Sequence, residues 1–147
     1  MKIAIVSDTH FGHFRWAEDA LAQGREAMLG AAQKADILLM PGDIFDTPSP
    51  SLNTLQEFVS VLRQIKIPIL AIHGTHEMRP RGQVNPVQLL HSAGLLTNIH
   101  MNPQEFEKEG QKIIINGLGG VPEEFFSAAL AKADFLPKEG AFNIFVF

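Results

Sequence analysis

The sequence predicts an α/β fold in which a mixed, mostly parallel sheet is flanked by helices. Short apolar runs typical of buried strands alternate along the chain with amphipathic segments typical of helices. Each of the first three apolar runs is followed at once by a short polar motif. The 147 residues include 46% hydrophobic side chains, which suits one domain with a sizeable core.

The first half of the chain is predicted to form strands separated by two long helices. Gly24 and Gly30 lie inside the first helical pattern and weaken it, because glycine disfavours helix interiors. Ser49 and Pro50 have the character of an N-cap followed by a first-turn proline. The predicted elements are a strand at 2–7, a helix at 15–33, a strand at 36–40, a helix at 50–65 and a strand at 67–73.

The second half is predicted to continue the alternation with shorter elements. Strands that alternate with helices favour a sheet with helices on both faces, and ligands in such sheets lie beyond the carboxyl ends of the strands. The predicted elements are a helix opened by Asn85 and Pro86 and ended by Gly94, a strand at 97–101, a hairpin over 104–116 turning at Glu109 and Gly110, a helix from Pro122 to Ala133, and a strand at 142–147.

Composition narrows the kinds of site that the chain can build. Cysteine is absent, so a metal would be held by oxygen and nitrogen ligands. The net charge of −4 argues against a protein that coats DNA by electrostatics, although it permits a nuclease whose acidic site is neutralised by metal ions. The sequence shows neither a signal peptide nor an apolar stretch of membrane-spanning length, so a cytoplasmic location and no membrane contact are expected.

The first polar motif is Asp8-Thr9-His10. If the backbone stays extended there, Asp8 and His10 point to the same side and can share one cation. The alternative is a helix N-cap aspartate beside an incidental histidine, which a motif this short does not exclude.

The second motif is Gly42-Asp43-Ile44-Phe45-Asp46. Glycine at position 42 allows the backbone to turn sharply out of a buried strand. The two carboxylate oxygens of Asp43 could bridge two ions, and Asp46 is expected to orient a ligating imidazole. The alternative is a turn closed by an Asx hydrogen bond.

The third motif is Gly74-Thr75-His76-Glu77. An imidazole at His76, near a scissile phosphate, can donate a proton to the leaving oxygen. The alternative is an exposed loop histidine. Glu77 is expected either to fix the tautomer of that imidazole or to be solvated. His73 is expected to pack or support rather than to bind a metal.

Together, the three motifs in this order resemble the calcineurin-like metallophosphoesterase superfamily. The residues from Asp8 to His13 and from Gly42 to Asp46 most resemble its branch of SbcD-like, or meiotic-recombination-eleven-type, DNA repair nucleases. The segment from Asn85 to Leu90 is similar to an archaeal-looking subgroup of that branch. The resemblance implies that residues 1–147 form the N-terminal half of a metallophosphoesterase βαβ sandwich.

The resemblance also implies a site and an activity. Asp8 and His10 would hold one ion, Asp43 would bridge two ions, typically manganese, and His76 would contact the phosphate and protonate the leaving group. The implied activity is manganese-dependent cleavage of DNA phosphodiesters, both as an exonuclease and as an endonuclease, in double-strand-break repair. The implied partners are DNA, an SbcC-like coiled-coil ATPase and a second copy of the chain, joined through a helical bundle.

This chain departs from the family pattern in two respects. The family normally has asparagine where this chain has Thr75, and a hydroxyl is a shorter and weaker ligand for the second ion. The family also has two later motifs that supply three histidine ligands, whereas no histidine follows His100 here. We therefore expect the chain to be the N-terminal part of a nuclease, ending before those two motifs.

Three further residues are candidates for substrate contact. His13 could touch a substrate phosphate, and Arg79 and Arg81 could meet a DNA backbone. The alternative for each is an exposed loop side chain. Two other functions also stay open, namely a non-catalytic scaffold or dimerisation module with a degenerate metal site, and a phosphoesterase that acts on nucleotides.

Overall fold

The computed structural model describes residues 1–80, 82–133, 135 and 137–147, so Arg81 lies outside the described residues. The elements are β1 (Ile3–Ile5), α1 (Ala17–Ala32), β2 (Ile37–Met40), α2 (Leu52–Leu62), β3 (Ile69–Ala71), α3 (Pro86–Ser92), β4 (Thr97–Asn98), β5 (Gln104–Lys108), β6 (Gln111–Gly117), a 3-10 turn (Glu123–Phe125), α4 (Phe126–Ala133) and β7 (Ala141–Val146). Among the described residues, no helix combines the length and apolarity needed to cross a membrane.

The strands form two sheets. The first is fully parallel, in the order β1-β2-β3-β4, and the second has the order β5-β6-β7, with an antiparallel hairpin and a parallel third strand. Glu109 and Gly110 both have positive φ, which suits the predicted two-residue hairpin turn. The predicted α/β class, with its mostly parallel strands, is confirmed.

The central strand β2 buries side chains on both of its faces. Leu38 and Met40 join the core beneath the helices, together with Met28 and Phe58. Ile37 and Leu39 join a second core with Ile113, Ile115 and Val146 from the other sheet. The prediction of helices on both faces is therefore wrong for the first sheet, because its second face is covered by another sheet. A continuous apolar run is compatible with a face covered by helices and with a face covered by a second sheet, so the sequence did not distinguish between these two arrangements.

Element ends differ from the predictions by a few residues, mostly because the strands stop before the chain turns toward the motifs. The cap of α2 is Ser51 rather than Ser49, since the Ser51 hydroxyl accepts a hydrogen bond from the Thr54 amide at 3.1 Å. The cap of α3 is as predicted, with Asn85 and Gln88 forming a reciprocal capping box.

Candidate metal centre

The three polar motifs lie at one edge of the parallel sheet, beyond the carboxyl ends of β1, β2 and β3. The backbones of the first two motifs are joined directly: the His10 amide donates to Asp43 O at 3.1 Å and the Phe11 amide donates to Ile44 O at 2.7 Å. The predicted gathering of these motifs at one sheet edge is therefore confirmed.

Two phenylalanines inside the motifs anchor the loops to the core. Phe11 and Phe45 are almost completely buried and both pack on Phe58 of α2, with ring centroids 4.8 and 4.9 Å from the Phe58 ring. Phe11 directly follows His10, and Phe45 directly precedes Asp46, so each ring is anchored next to a polar residue of the site. This anchoring was not predicted from the sequence, although apolar residues beside the polar ones in both motifs were a visible signal.

Asp8, His10 and Asp43 form a cluster in which one ligand atom from each lies within 4.8 Å of the others. The expectation of an extended backbone is wrong, because Asp8 (φ 55°) and His10 (φ 44°) are left-handed, as is Asp43 (φ 47°). Left-handed conformations of non-glycine residues store strain and concentrate at functional sites. The side chains converge through these bends rather than through strand alternation.

The cluster has the chemistry of a divalent-cation site. Carboxylate oxygens and an imidazole suit magnesium, manganese, iron or zinc. His10 Nδ1 is buried and lacks a hydrogen-bond partner among the described residues, although Asp46 Oδ1 lies 3.3 Å away in poor geometry. A buried imidazole nitrogen without a hydrogen-bond partner, in a residue that clusters with two aspartates, is typical of a metal ligand without its ion. The residues present therefore fit a metal.

Asp46 lies between two imidazoles. Its Oδ1 is 3.3 Å from His10 Nδ1 and 3.8 Å from His76 Nδ1, and the three side chains form a second group of possible metal ligands. Neither carboxylate contact is a hydrogen bond, so the orienting role of Asp46 stays a prediction, and Asp46 is also close enough to act as a ligand.

His76 is held in place by both of the other loops. Its Nδ1 is 2.9 Å from Asp46 O, and its amide donates to Asp43 Oδ1 at 2.9 Å. The hydrogen bond to the Asp46 carbonyl raises the pKa of His76, and the negative charges of Asp43, Asp46 and Glu77 act in the same direction. A proton on Nδ1 leaves Nε2 to exchange a proton with a ligand at the exposed end of the ring.

Glu77 takes neither of its expected roles. It is fully buried, and its two carboxylate oxygens accept the amides of Phe45 at 2.8 Å and Gly74 at 2.7 Å. Burial raises the pKa of Glu77 to about 7, while those two hydrogen bonds oppose the shift. Glu77 therefore ties the second motif to the third through their backbones, and His76 receives its orientation from the Asp46 carbonyl instead.

The remaining predicted residues lie around this cluster. Thr75 Oγ1 is 3.4 and 3.5 Å from the two oxygens of Asp43, at the limit of hydrogen bonding. The His13 ring stacks on Phe14, with centroids 5.3 Å apart. Arg79 donates to Pro48 O at 2.9 Å and to the Ser49 hydroxyl, so its guanidinium is hydrogen-bonded to the loop that precedes α2.

His73 is separate from the metal cluster, as expected for a packing residue. It is 9% exposed, its Nε2 lies 3.1 Å from Gly120 O, and its ring meets His100 edge to face at 4.9 Å between centroids. Burial, with a smaller contribution from the neighbouring His100, lowers the pKa of His73 to about 4. The His73–His100 pair was not predicted from the sequence.

The profile of the calcineurin-like phosphoesterase family matches residues 1–141, and the chain belongs to that family. It is 28% identical to the DNA double-strand break repair protein Mre11 of Methanopyrus kandleri, in an alignment that covers all of this chain and 37% of the relative. It is 30% identical to the double-strand break repair protein MRE11 of Encephalitozoon cuniculi over 84% of the chain and 28% of the relative.

A third relative, the Mre11 of Archaeoglobus fulgidus, is 31% identical over 70% of this chain and 26% of its own length. The chain thus spans from about a quarter to under two fifths of these relatives. Among solved structures, a protein of unknown function from Aquifex aeolicus aligns with 90% of this chain and 69% of its own, with a TM-score of 0.46 and 16% identity.

Proposed function

We propose that this chain forms part of a manganese-dependent DNA nuclease that acts in double-strand-break repair. The observation that carries the proposal is the convergence of Asp8, His10 and Asp43 at the sheet edge, with His76 beside them. Membership of the phosphoesterase family and similarity to three double-strand-break repair proteins support it.

In this proposal, Asp8 and His10 hold one ion and Asp43 is shared between two. Thr75 is the candidate for a weak ligand of the second ion, because its hydroxyl lies beside Asp43. When bound, the two manganese ions would supply positive charge to the phosphate oxygens and lower the pKa of water at the site. The three donors of this cluster leave coordination positions that water can fill.

The protein's own residues supply the proton transfer. The Asp46 carbonyl holds Nδ1 of His76, so Nε2 is the atom that would donate a proton to the leaving oxygen of the cleaved phosphodiester. The raised pKa of His76 increases the fraction of imidazolium available near neutral pH. Glu77 and Asp46 act as positioning residues, whereas His13 and Arg79 stay candidates for substrate contact.

The proposed partners are DNA, an SbcC-like coiled-coil ATPase and a second copy of the chain, in the cytoplasm. Leu52 at the start of α2 and Leu89 on α3 are 83% and 49% exposed, which supplies apolar surface for a helical dimer interface. The proposal rests on the expected bundle of these two helices and on the similarity to the repair proteins named above.

The first test is a calorimetric titration of the chain with manganese. We expect saturable binding that Asp43→Asn abolishes and that the control Asp19→Asn, in the first turn of α1, leaves unchanged. The Asp43→Asn side chain keeps an oxygen for the His76 amide, so the loss would report on the ion rather than on folding. Equal binding by Asp43→Asn and wild type would contradict the proposed centre.

The second test separates substrates. Duplex DNA should be cleaved in the presence of manganese, and His76→Ala should lower the cleavage rate at unchanged metal affinity. Cleavage of nucleotides but not of DNA would support the alternative phosphoesterase. Metal binding without cleavage of either substrate would support the scaffold.

A further inference from the structure

A large cleft opens beside the metal centre, on the far side of the third motif. It has a volume of about 1140 Å³. One wall is the chain around Pro80 and Asn85, the other is the chain around Val121 and Phe125, and the His73–His100 pair lies at its floor. Among the described residues, none that belongs to the three polar motifs lines this cleft.

Two glycine backbones form the partition between the cleft and Asp43. The Gly120 amide donates to His73 O at 2.8 Å, and a Cβ atom on Gly120 would lie 2.9 Å from the carbonyl carbon of Gly74. A Cβ atom on Gly74 would in turn lie 2.2 Å from Asp43 Oδ1. Because this partition carries no side chain, one ligand can place a phosphate at the metal centre and its neighbouring group in the cleft.

The floor of the cleft supplies a neutral hydrogen-bond donor. His100 Nδ1 accepts the Gly119 amide at 2.8 Å, so the neutral ring carries its proton on Nε2. Burial lowers the pKa of His100, as it does for His73, which keeps both rings uncharged at neutral pH. The floor is therefore suited to a polar uncharged ring rather than to a phosphate.

The walls add a flat apolar surface and a charge at the rim. Phe125 is 58% exposed and lies beside Pro122, while Met101 contributes further apolar surface. Lys132, on the last turn of α4, lines the cleft and is exposed. Aromatic rings bind nucleobases by stacking, and a few polar groups among apolar walls orient small ligands.

We propose that this cleft binds the nucleobase next to the scissile phosphate, with Phe125 stacking on the base and His100 Nε2–H donating to it. The inference rests on the proposed nuclease function and extends it, because it assigns a position to the nucleoside rather than to the phosphate. Lys132, exposed and lining the same cleft, is the candidate to neutralise the next phosphate along the strand.

The test is an NMR titration of the 15N-labelled chain with adenosine, in EDTA so that no metal contributes. We expect saturable shifts at the amides of Gly119, Gly120 and Phe125, and none when inorganic phosphate replaces adenosine. Phe125→Ala should raise the Kd about fivefold or more, as expected for loss of one stacked base, and Phe125→Tyr should restore it. His100→Asn, which keeps an acceptor for the Gly119 amide but loses the Nε2 donor, should also weaken binding.

Phe142→Ala is the matched control, because Phe142 is similarly exposed (68%) but lies on β7, away from the cleft. The proposal is overturned if adenosine gives no saturable shifts, or if Phe142→Ala weakens binding as much as Phe125→Ala. If the chain binds manganese but not adenosine, the nuclease proposal stands and the nucleobase proposal falls. If it binds adenosine but not manganese, the result counts against the nuclease proposal.

Discussion

Glu77 joins two of the three motif loops, although neither of its hydrogen bonds in the described part of the chain is to the His76 ring or to a side chain of the metal cluster. Both of its oxygens accept backbone amides, one from Phe45 and one from Gly74. Two accepted amides favour the carboxylate form and oppose the rise in the pKa of Glu77 that burial causes. An amide nitrogen in place of either oxygen would face an N–H group. The position of His76 beside Asp43 thus depends on a carboxylate that is in neither group of candidate metal ligands.

Glu77→Gln should therefore destabilise the chain. The glutamine retains one acceptor oxygen and places its NH₂ group against the second amide, which leaves buried donors unpaired at a cost of about 1–3 kcal/mol. Urea unfolding without metal measures the loss. Glu57→Gln on the exposed side of α2 is the control, and equal stabilities for the two variants would contradict the linking role.

The partly buried His100 should contribute to a dependence of stability on pH. Its pKa in the folded chain is lowered by burial, so folding favours the neutral ring and the unfolded chain binds the proton more readily. Stability should be complete above the ordinary histidine pKa of about 6.5 and should fall as the pH drops below it. His100→Asn should lose less stability over that range, when urea unfolding is measured at several pH values.

The exposed His91 provides the comparison for that experiment. His91→Gln should follow the wild-type pH dependence, because it removes one exposed histidine and leaves the His73–His100 pair unchanged. A wild-type curve identical to that of His100→Asn would show that burial of this ring does not govern the acid response.

Helix α1 and the first motif meet at a glycine. A Cβ atom on Gly24 would lie 2.9 Å from Cζ of the buried Phe11 ring, whereas Gly30 has open space around it. The two glycines looked equivalent as helix-weakening residues. Packing distinguishes them, since the absence of a side chain at Gly24 makes room for the ring of Phe11, which directly follows His10.

Opposite effects are expected when each glycine is replaced. Gly30→Ala should stabilise the chain by about 0.5–1 kcal/mol through helix propensity alone. Gly24→Ala should destabilise it, because overpacking typically costs about 1–3 kcal/mol and exceeds that gain. Thermal unfolding compares the pair, and a weaker manganese affinity in Gly24→Ala would show that the strain reaches His10. Stabilisation by both substitutions would contradict the packing argument.

A metal held between the ends of β1 and β2 would link two segments that are far apart in the chain. Manganese should therefore stabilise the folded state, by about 2.7 kcal/mol at a free concentration one hundred times the Kd. Thermal unfolding in manganese and in EDTA should give different Tm values for wild type and the same Tm for Asp43→Asn. A wild-type Tm that does not respond to manganese would exclude tight binding to the folded chain.

The exposed leucines on α2 and α3 test the proposed dimer. Leu89→Lys should shift the protein toward the monomer in sedimentation velocity, because it places a charge on apolar surface at the expected interface. Leu130→Lys on α4 is the control, since Leu130 is also exposed (39%) but lies on another helix. A wild-type chain that is monomeric at all concentrations would contradict the dimer.

Local residue chemistry was sufficient to predict much of this molecule. Apolar runs and helical spacing placed the strands and helices to within a few residues. Asn85 and Pro86 correctly predicted the start of α3, and Glu109 and Gly110 correctly predicted the hairpin turn. Parallel strands bring their carboxyl ends to one edge, so the meeting of the three motifs followed from strand order, and the separation of His73 from the metal cluster was also anticipated.

Long-range packing decided the rest. The second sheet, the cap at Ser51 and the roles of Glu77, Gly24 and Phe11 depend on which surfaces meet, and a sequence pattern does not specify a partner distant along the chain. The left-handed bends at Asp8 and Asp43 are local, but they persist because the surrounding core and hydrogen bonds hold them. The sequence by itself determined which residues could carry the chemistry, whereas the tertiary structure decided which of them meet, because convergence depends on distances set by the whole fold.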